Sequence, residues 1–203
     1  LLFSDDKVVE VGNINPYLVD GPNVIIESIA SPLCTVPKML LGNKPTDDGN
    51  FILSEEEREE IIKKEPDIEG YIKTYLGAEE FINNKKRYCL WLKDVSPAVL
   101  KRCPSVLKRI DKVRLFREKS TSSSTKQKAN TPQLFFFISH PDDNYLLVPG
   151  VSSERRNYIP IGYMTKDVIA SNAASIIPNA TLYHFGILTS TMHMAWMRCV
   201  AGR

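Results

Sequence analysis

The sequence predicts an α+β domain in which a small, largely antiparallel sheet is flanked by helices. Capped, helix-like patterns occur in both halves of the chain, whereas short runs rich in aromatic and β-branched residues are concentrated after Pro132. A chain of 203 residues, 43% of them hydrophobic, is able to bury the core of one full domain. We therefore expect helices from both halves to pack around a sheet that the second half supplies.

The N-terminal quarter is expected to contain little regular structure. Strands are predicted at residues 1–3 and 8–11. Residues 12–50 are predicted to be rich in loops, because five prolines between Pro16 and Pro45 prevent any helix from extending.

The following segment predicts two helices. Ser54 and Glu57 form a capping-box pattern, in which the serine hydroxyl accepts a backbone N–H while the glutamate reaches back. This helix is expected to end at Glu65-Pro66, because proline lacks a backbone donor. Asp67 is predicted to cap a second helix, which ends at Gly77. The apolar stripe of the second helix comprises Ile68, Tyr71, Ile72 and Tyr75.

A strand at residues 87–92 and two further helices are predicted in the middle of the chain. Ser96-Pro97 begins a short helix and Pro104 begins a longer one, since proline suits the first helical position. Residues 120–128 have few apolar side chains and predict a mobile basic loop. The buried stripe of the longer helix is expected to comprise Val106, Leu107, Ile110, Val113 and Phe116.

The second half of the chain predicts four strands, each bounded by Pro, Asp, Asn or Gly. They are residues 134–138, 145–148, 158–163 and 174–177. The end of the chain predicts helices again, at residues 182–188 and, after Ser190 as a cap, at residues 192–200.

Charge is distributed unevenly, although the net charge is only +2. Residues 54–80 contain ten acids and four bases, whereas residues 101–128 contain ten bases and two acids. A domain polarised in this way is able to present a basic face to a polyanion. Two solvated helices of opposite sign are an equally good interpretation of the charge pattern alone.

The cysteines and the apolar runs indicate in which cellular compartment the protein is expected. Four widely spaced cysteines without a C-x-x-C pair argue against a zinc site and for reduced thiols in a cytoplasmic protein. The longest apolar runs are too short to span a bilayer, and the first residues lack the basic region of a signal peptide. We therefore expect no membrane partner. Because the chain does not begin with Met, we also expect it to be a fragment of a longer protein.

No arrangement of residues predicts catalysis, and no catalytic or metal-binding residue is assigned. There is no G-x-G-x-x-G motif, P-loop or paired-carboxylate nuclease pattern. Asn15-Pro16-Tyr17 lacks the second proline of the tetrapeptide with which amino-methyltransferases hold a flipped adenine, so we interpret it as a turn. His140, His184 and His193 are far apart, and His193 is expected to be a satisfied core histidine. A catalytic fragment is therefore disfavoured.

The most informative constellation is the polar connection between the predicted strands at residues 145–148 and 158–163. Its leading candidates for DNA contact are Arg155 and Arg156, since a guanidinium fork suits phosphate oxygens or the edge of guanine. The supporting candidates are Ser152, Ser153, Glu154 and Asn157. A surface hairpin with an Arg–Glu pair is the alternative interpretation.

Two further groups are candidate DNA contacts. Lys44 and Asn43 lie in a compact polar loop, from which the lysine could reach a phosphate. Lys108, Lys112 and Lys119, together with residues 120–128, form a candidate rail for phosphates. The residues that select the bases are expected in the segments that flank the arginines, at residues 134–144 and 163–172.

Six segments in this order resemble the target-recognition region of MmeI-like restriction–modification enzymes. They are residues 14–20, 42–45, 87–92, 151–160, 177–186 and 192–198. The resemblance extends from about residue 14 to the last residue, and it implies a fold like the target-recognition domain of a methyltransferase. The first strand resembles the last strand of a methyltransferase domain. The resemblance therefore implies that residues 1–11 end a methyltransferase domain and that residues 12–203 form the recognition domain.

The resemblance also implies a function. The parent enzyme would transfer a methyl group from S-adenosylmethionine to a flipped adenine and would include a restriction nuclease. This chain has neither the cofactor motif nor the adenine-binding tetrapeptide, so it is expected to bind no cofactor itself. Its expected partners are double-stranded DNA and the methyltransferase domain of the same polypeptide. The alternative is a protein-interaction module, in which the acidic helices of residues 54–80 dock onto a partner.

Overall fold

The computed structural model describes residues 1–4, 7–29, 31–153 and 155–200. These residues divide into two units, one formed by Leu1–Val36 with Gly186–Arg203 and the other by Pro37–Phe185. The fold is α+β, as the sequence predicts, with small sheets and helices.

The first unit contains a short hairpin and a terminal helix. Strands β1 (Leu2–Ser4) and β2 (Lys7–Val9) pair antiparallel. The Asn15-Pro16-Tyr17 turn forms as predicted, because the Asn15 side-chain oxygen accepts the backbone N–H groups of Tyr17 (3.0 Å) and Val19 (3.2 Å). Helix α7 (Thr191–Val200) begins after Ser190, whose hydroxyl accepts the His193 N–H as predicted. His193 is half-buried, and its Nδ1 lies 2.7 Å from the Leu188 carbonyl.

The helices of the second unit begin largely where the sequence predicts. Ser54 and Glu57 form the capping box, with the Glu57 N–H donating to the Ser54 hydroxyl and the Ser54 N–H to the Glu57 carboxylate. Proline occupies the first position of both predicted central helices. The helices are α1 (Glu55–Lys64), α2 (Ala78–Asn83), α3 (Pro97–Lys101), α4 (Pro104–Glu118) and α5 (Ser123–Gln127). A further helix, α6 (Leu182–Leu188), begins at the end of this unit.

Two four-stranded sheets form the second unit, rather than one sheet from the second half of the chain. The first sheet, in the order β3-β10-β7-β8, is antiparallel throughout. The second, in the order β4-β6-β5-β9, has one parallel pair, β5 with β9. The strands are β3 (Leu40–Leu41), β4 (Ile52–Leu53), β5 (Ile72–Leu76), β6 (Tyr88–Leu90), β7 (Tyr145–Pro149), β8 (Gly162–Met164), β9 (Val168–Ala170) and β10 (Ala174–Pro178). Both sheets therefore combine strands from the two halves.

The second predicted helix is wrong. Residues Pro66–Tyr71 form a short 3-10 helix, and Ile72–Leu76 form the central strand β5. The spacing of Ile68, Ile72 and Tyr75 suits a helix, but pairing with β6 on one side and β9 on the other makes the extended conformation the more stable.

The predicted strand at residues 134–138 is also absent, apart from a single bridge between Lys44 and Phe137. This segment instead places the ring of Phe135 in the core, 6.0 Å from the ring of Phe51 and 5.1 Å from that of Trp91. The predicted strand at residues 158–163 is shifted, since β8 begins only at Gly162. Side-chain packing of Phe135 therefore decides the conformation of residues 134–138.

Residues 120–128 form structure instead of a mobile loop. Helix α5 is followed by a 3-10 turn at Lys128–Asn130. Thr125 and Ala129 are buried, so this short segment packs against the domain. The polar composition of residues 120–128 did not indicate that Thr125 and the following Ala129 would be buried.

The main core lies between the second sheet and α4. On α4 the buried side chains are Val106, Ile110, Val113 and Arg117, whereas the predicted Phe116 is 39% exposed. Arg117 is completely buried, and its guanidinium donates five hydrogen bonds to backbone carbonyls. The acceptors are the carbonyls of Pro45, Thr46, Lys128, Thr131 and Leu134. One side chain thus joins α4 to the loop at residues 45–46 and to the stretch at residues 128–134.

Burial lowers the pKa of the Arg117 guanidinium, and the negative charge of Asp47 partly offsets this effect. Replacing Arg117 by Met should cost about 3–5 kcal/mol of unfolding free energy, because five backbone carbonyls lose their donor. Urea unfolding followed by Trp91 fluorescence measures this loss.

The matched control is Arg114→Ala on the same helix, where the half-exposed Arg114 pairs with Asp111 one helical turn away. This control should shift the unfolding free energy by no more than about 0.5 kcal/mol. Equal urea midpoints for the two variants would show that Arg117 does not hold these loops.

Candidate nucleic-acid interface

The leading candidate site is the connection between β7 and β8. The two strands pair antiparallel, with Tyr145 opposite Met164 and Leu147 opposite Gly162. Residues 150–161 connect them outside the sheet, so the predicted strand pair with a polar connection is present. β8 is an edge strand, which leaves one side of this hairpin open.

Both arginines of the connection are exposed. Their backbone is fixed by Ser153, whose hydroxyl accepts the Arg155 N–H (3.3 Å) and whose carbonyl accepts the Arg156 N–H (3.1 Å). Neither guanidinium forms a salt bridge within the part of the chain that the structure describes. Among the described residues, therefore, nothing occupies these two adjacent cationic forks as an ion-pair partner, and an anion is able to bind them.

The supporting candidates differ in what the structure gives for them. Ser152, Ser153 and Asn157 are exposed, and the backbone interactions of Ser153 hold the turn. Glu154 lies outside the described residues, and so does the alternative Arg–Glu pair.

The Lys44 side chain is exposed, and hydrogen bonds fix the loop that begins at this residue. Its backbone exchanges two hydrogen bonds with Phe137, of 3.0 and 3.1 Å. The next two carbonyls, those of Pro45 and Thr46, accept from Arg117 at 2.8 and 3.0 Å. Lys44 and the C-terminal end of α4 are thus brought together around one buried guanidinium.

Asn43 does not fit its predicted role as a DNA contact. The residue is 0% exposed. Its side-chain oxygen accepts the N–H groups of Ser139 (2.8 Å) and His140 (3.0 Å), and its amide donates to the Ala170 carbonyl (2.9 Å). A side chain committed in this way connects segments of the fold and has no surface to offer DNA.

The lysines of α4 form an exposed row. Lys108 and Lys112 are one helical turn apart, and Lys119 lies two turns further along the same side. None of the three forms a salt bridge with a described residue. The arginines of this helix are engaged: Arg109 pairs with Glu57 at 2.7 Å and Arg114 with Asp111 at 3.2 Å. The available positive charge of α4 is therefore that of the lysines.

An open cleft of about 640 Å³ lies at the other end of the β7–β8 hairpin. Five strand residues separate its edge from the arginine connection, a span of about 17 Å. The cleft is lined by Asp143, Asn144, Tyr163, Thr165, Lys166, Asp167, Asn179 and Ala180. Six of these residues lie in the two segments in which the sequence analysis expects base selection. Asn179 and Ala180 were missed, since only the fold brings them to this place.

His140 holds one wall of the cleft. Its Nε2 lies 2.8 Å from the Lys166 carbonyl, and its ring packs edge-on against Trp91 and Tyr145. Its Nδ1 is buried without a hydrogen-bond partner among the described residues. Burial lowers the pKa of His140. The imidazole is therefore neutral at neutral pH, with Nε2–H as the donor.

The acidic helix α1 provides the alternative surface. Three of its five acids are already paired, Glu55 with Lys86, Glu57 with Arg109 and Glu60 with Lys64. These pairs reduce the net negative charge that α1 presents to a partner, which weakens the case for an acidic docking module.

The part of the chain that the structure describes forms neither a metal site nor a membrane-spanning helix. It contains no group of three or more His, Cys, Asp or Glu side chains arranged to hold a metal ion. None of its helices is long and apolar enough to cross a membrane.

Comparison with known proteins gives concordant results. The family model for the MmeI target recognition domain matches residues 20–203. The chain is 42% identical over its 203 residues to DNA methyltransferase A of Bacillus subtilis (strain 168), of which it spans 23%. It matches the structure of the type IIL restriction–modification enzyme MmeI in complex with DNA, with a TM-score of 0.86 and 49% identity. That match covers 96% of this chain and 26% of the MmeI chain.

The position of His140 predicts a pH dependence of stability. A histidine with a lowered pKa in the folded state binds fewer protons there than when unfolded, so folding loses stability as the pH falls below about 6.5. The charged groups that act on it are Lys93, Asp142 and Asp167. His140→Gln, which keeps an N–H donor but does not titrate, should remove this component.

Urea unfolding at about pH 7.5 and about pH 5.5 measures the effect, which is at most about 1.4 kcal/mol per pH unit. The native chain should lose more stability than the His140→Gln variant between the two pH values. Identical losses would contradict the role given to the half-buried imidazole of His140.

Proposed function

The chain belongs to the MmeI target recognition domain family, and on that premise we propose that it recognises a DNA sequence for a longer restriction–modification polypeptide. The observation that supports this most strongly is the pair of exposed arginines without a salt bridge to the described residues, Arg155 and Arg156. Guanidinium groups bind phosphate oxygens and the guanine edge in bidentate fashion. A hairpin that presents two of them at its end is well shaped to contact a duplex.

A phosphate rail completes the electrostatic part of the proposal. Lys108, Lys112 and Lys119 on α4, together with Lys44, are exposed positive charges held on buried structure. Such charges bind the DNA backbone without regard to sequence and fix the position of the protein along the duplex.

Base selection is assigned to the cleft at the other end of the hairpin. Asn144 and Asn179 offer both donors and acceptors, whereas Asp143 offers only acceptors. Base edges in the major groove are distinguished by such patterns. The span of about 17 Å from this cleft to the arginine connection is roughly half of one turn of DNA. One duplex is therefore long enough to reach both.

The longer polypeptide would supply the chemistry. The chain spans 23% of DNA methyltransferase A and 26% of MmeI, so methyl transfer from S-adenosylmethionine to adenine is assigned to another part of the parent. The family match begins at residue 20, which supports assigning residues 1–11 to the end of a preceding methyltransferase domain. We place the protein in the bacterial cytoplasm, where its DNA substrate is.

The arginine connection gives the most direct test of DNA contact. Arg155→Ala with Arg156→Ala should weaken binding to a labelled duplex by about tenfold to a hundredfold, because two charge-assisted contacts are lost. Fluorescence anisotropy at low salt measures the affinity.

Lys63→Ala with Lys64→Ala, at the end of the acidic helix α1, removes the same charge and should change the affinity by less than about threefold. If both double variants bind as the native chain does, the arginine connection is not at the DNA.

The lysine rail is tested by the salt dependence of binding. Replacing Lys108, Lys112 and Lys119 by Ala should reduce the slope of log affinity against log salt by up to about 3, since each phosphate contact contributes about 0.9. The reduction should be the same for duplexes of different sequence. An unchanged slope in the triple variant would remove α4 from the interface.

A further inference from the structure

The unit formed by Leu1–Val36 with Gly186–Arg203 has almost no core of its own. Among its described residues, Met194 is the one buried apolar side chain. Residues 12–36, which we call the apolar arm, contain no buried side chain at any described position. The large buried clusters of the chain lie between Phe51 and Ile176.

The apolar arm nevertheless contains many large apolar side chains. Leu18 is 73% exposed, Ile25 is 69% exposed and Leu33 is 95% exposed. The other exposed members are Ile14, Val19, Val24, Ile26, Ile29 and Val36. Exposed apolar side chains in this number mark an interface, because their exposure to water is unfavourable.

Part of the apolar arm is already shaped for contact. The Tyr17 hydroxyl accepts the Ile26 N–H at 2.6 Å, and Asn13 donates to the Gly21 carbonyl at 2.5 Å and to the Asn23 side chain at 3.0 Å. These bonds hold the arm in a folded-back form, so docking would order fewer residues than binding by a random coil.

The charge of the apolar arm makes DNA an unfavourable partner. Between Lys7 and Lys38 the chain has no lysine or arginine, and its charged residues there are Glu10, Asp20 and Glu27. A net negative, apolar strip repels phosphates. Its occupant is therefore a protein surface that is mainly apolar.

We propose that the apolar arm docks against an apolar surface in the remainder of the same polypeptide. The proposal rests on the inference that this chain is one part of a longer polypeptide. In the two relatives the matching region is 23% and 26% of the protein, so each has a large remainder in the same molecule. A covalently attached surface is present at high effective concentration, which favours it over a second copy.

Cys34 offers a probe within the apolar arm, because it is exposed in this chain. The experiment labels the longer polypeptide with N-ethylmaleimide and follows the Cys34 peptide by mass spectrometry. Docking should make Cys34 react at least about tenfold more slowly than in the 203-residue chain. Ile25→Asp in the longer polypeptide should restore fast labelling, since a carboxylate cannot be buried in an apolar contact.

Two controls keep the result interpretable. Leu115→Asp, at an exposed apolar position of α4, should leave the labelling of Cys34 unchanged. Cys89 and Cys103 are buried in the core, so they should stay protected in every variant that remains folded. If Ile25→Asp exposes them too, Ile29→Asp provides a second substitution in the arm.

Rapid labelling of Cys34 in the longer polypeptide, or slow labelling that Ile25→Asp and Ile29→Asp do not relieve, would overturn the proposal. Protection that increases with protein concentration would identify a second copy as the occupant and would also overturn it. DNA affinity is measured on the same samples. If the native longer polypeptide does not bind DNA although its Cys34 is protected, the result counts against the proposed function alone.

Discussion

The buried amide of Asn43 is the interaction on which the arrangement of the exposed groups depends. It joins the segment at Ser139 and His140 to the carbonyl at Ala170, far away along the chain. The approach is so close that a Cβ on the preceding residue, Gly42, would lie 2.1 Å from the carbonyl oxygen of Ser171. Glycine is therefore required beside the buried asparagine, and the two together fix where the loop at Lys44 leaves the core.

Two neighbouring polar side chains hold the two ends of the candidate interface in place by hydrogen bonds. Arg117 ties the loop after Lys44 to α4, and His140 ties the wall of the cleft to the Lys166 carbonyl. Hydrogen bonds of this kind are strong in a low dielectric and costly to break, so they hold loops in one conformation. Exposed charges bind DNA well only when their loops are positioned in advance, since ordering them on binding costs entropy. These hydrogen bonds therefore hold the exposed cations in position before DNA binds.

Sequence reasoning succeeded where local chemistry decides the structure. The capping box at Ser54 and the proline at the first position of α4 mark the starts of two helices in the sequence itself. It failed where tertiary contacts decide. Asn43 has the composition of a polar loop residue, and only the fold shows that its amide is enclosed. Similarly, the spacing of Ile72 and Tyr75 suits either a helix or a strand, and the neighbouring strands choose between them.

A residue-resolved modification footprint tests the central claim, that DNA binds the exposed cations of the hairpin and α4. The chain is treated with an amine-acetylating reagent and an arginine-specific dicarbonyl, with and without a duplex at low salt, and the modified sites are quantified by mass spectrometry. The account predicts that DNA protects Arg155, Arg156, Lys44 and the lysines of α4, whereas Lys63 and Lys64 react equally in both samples. Equal reactivity of all these sites, or protection confined to α1, would contradict it.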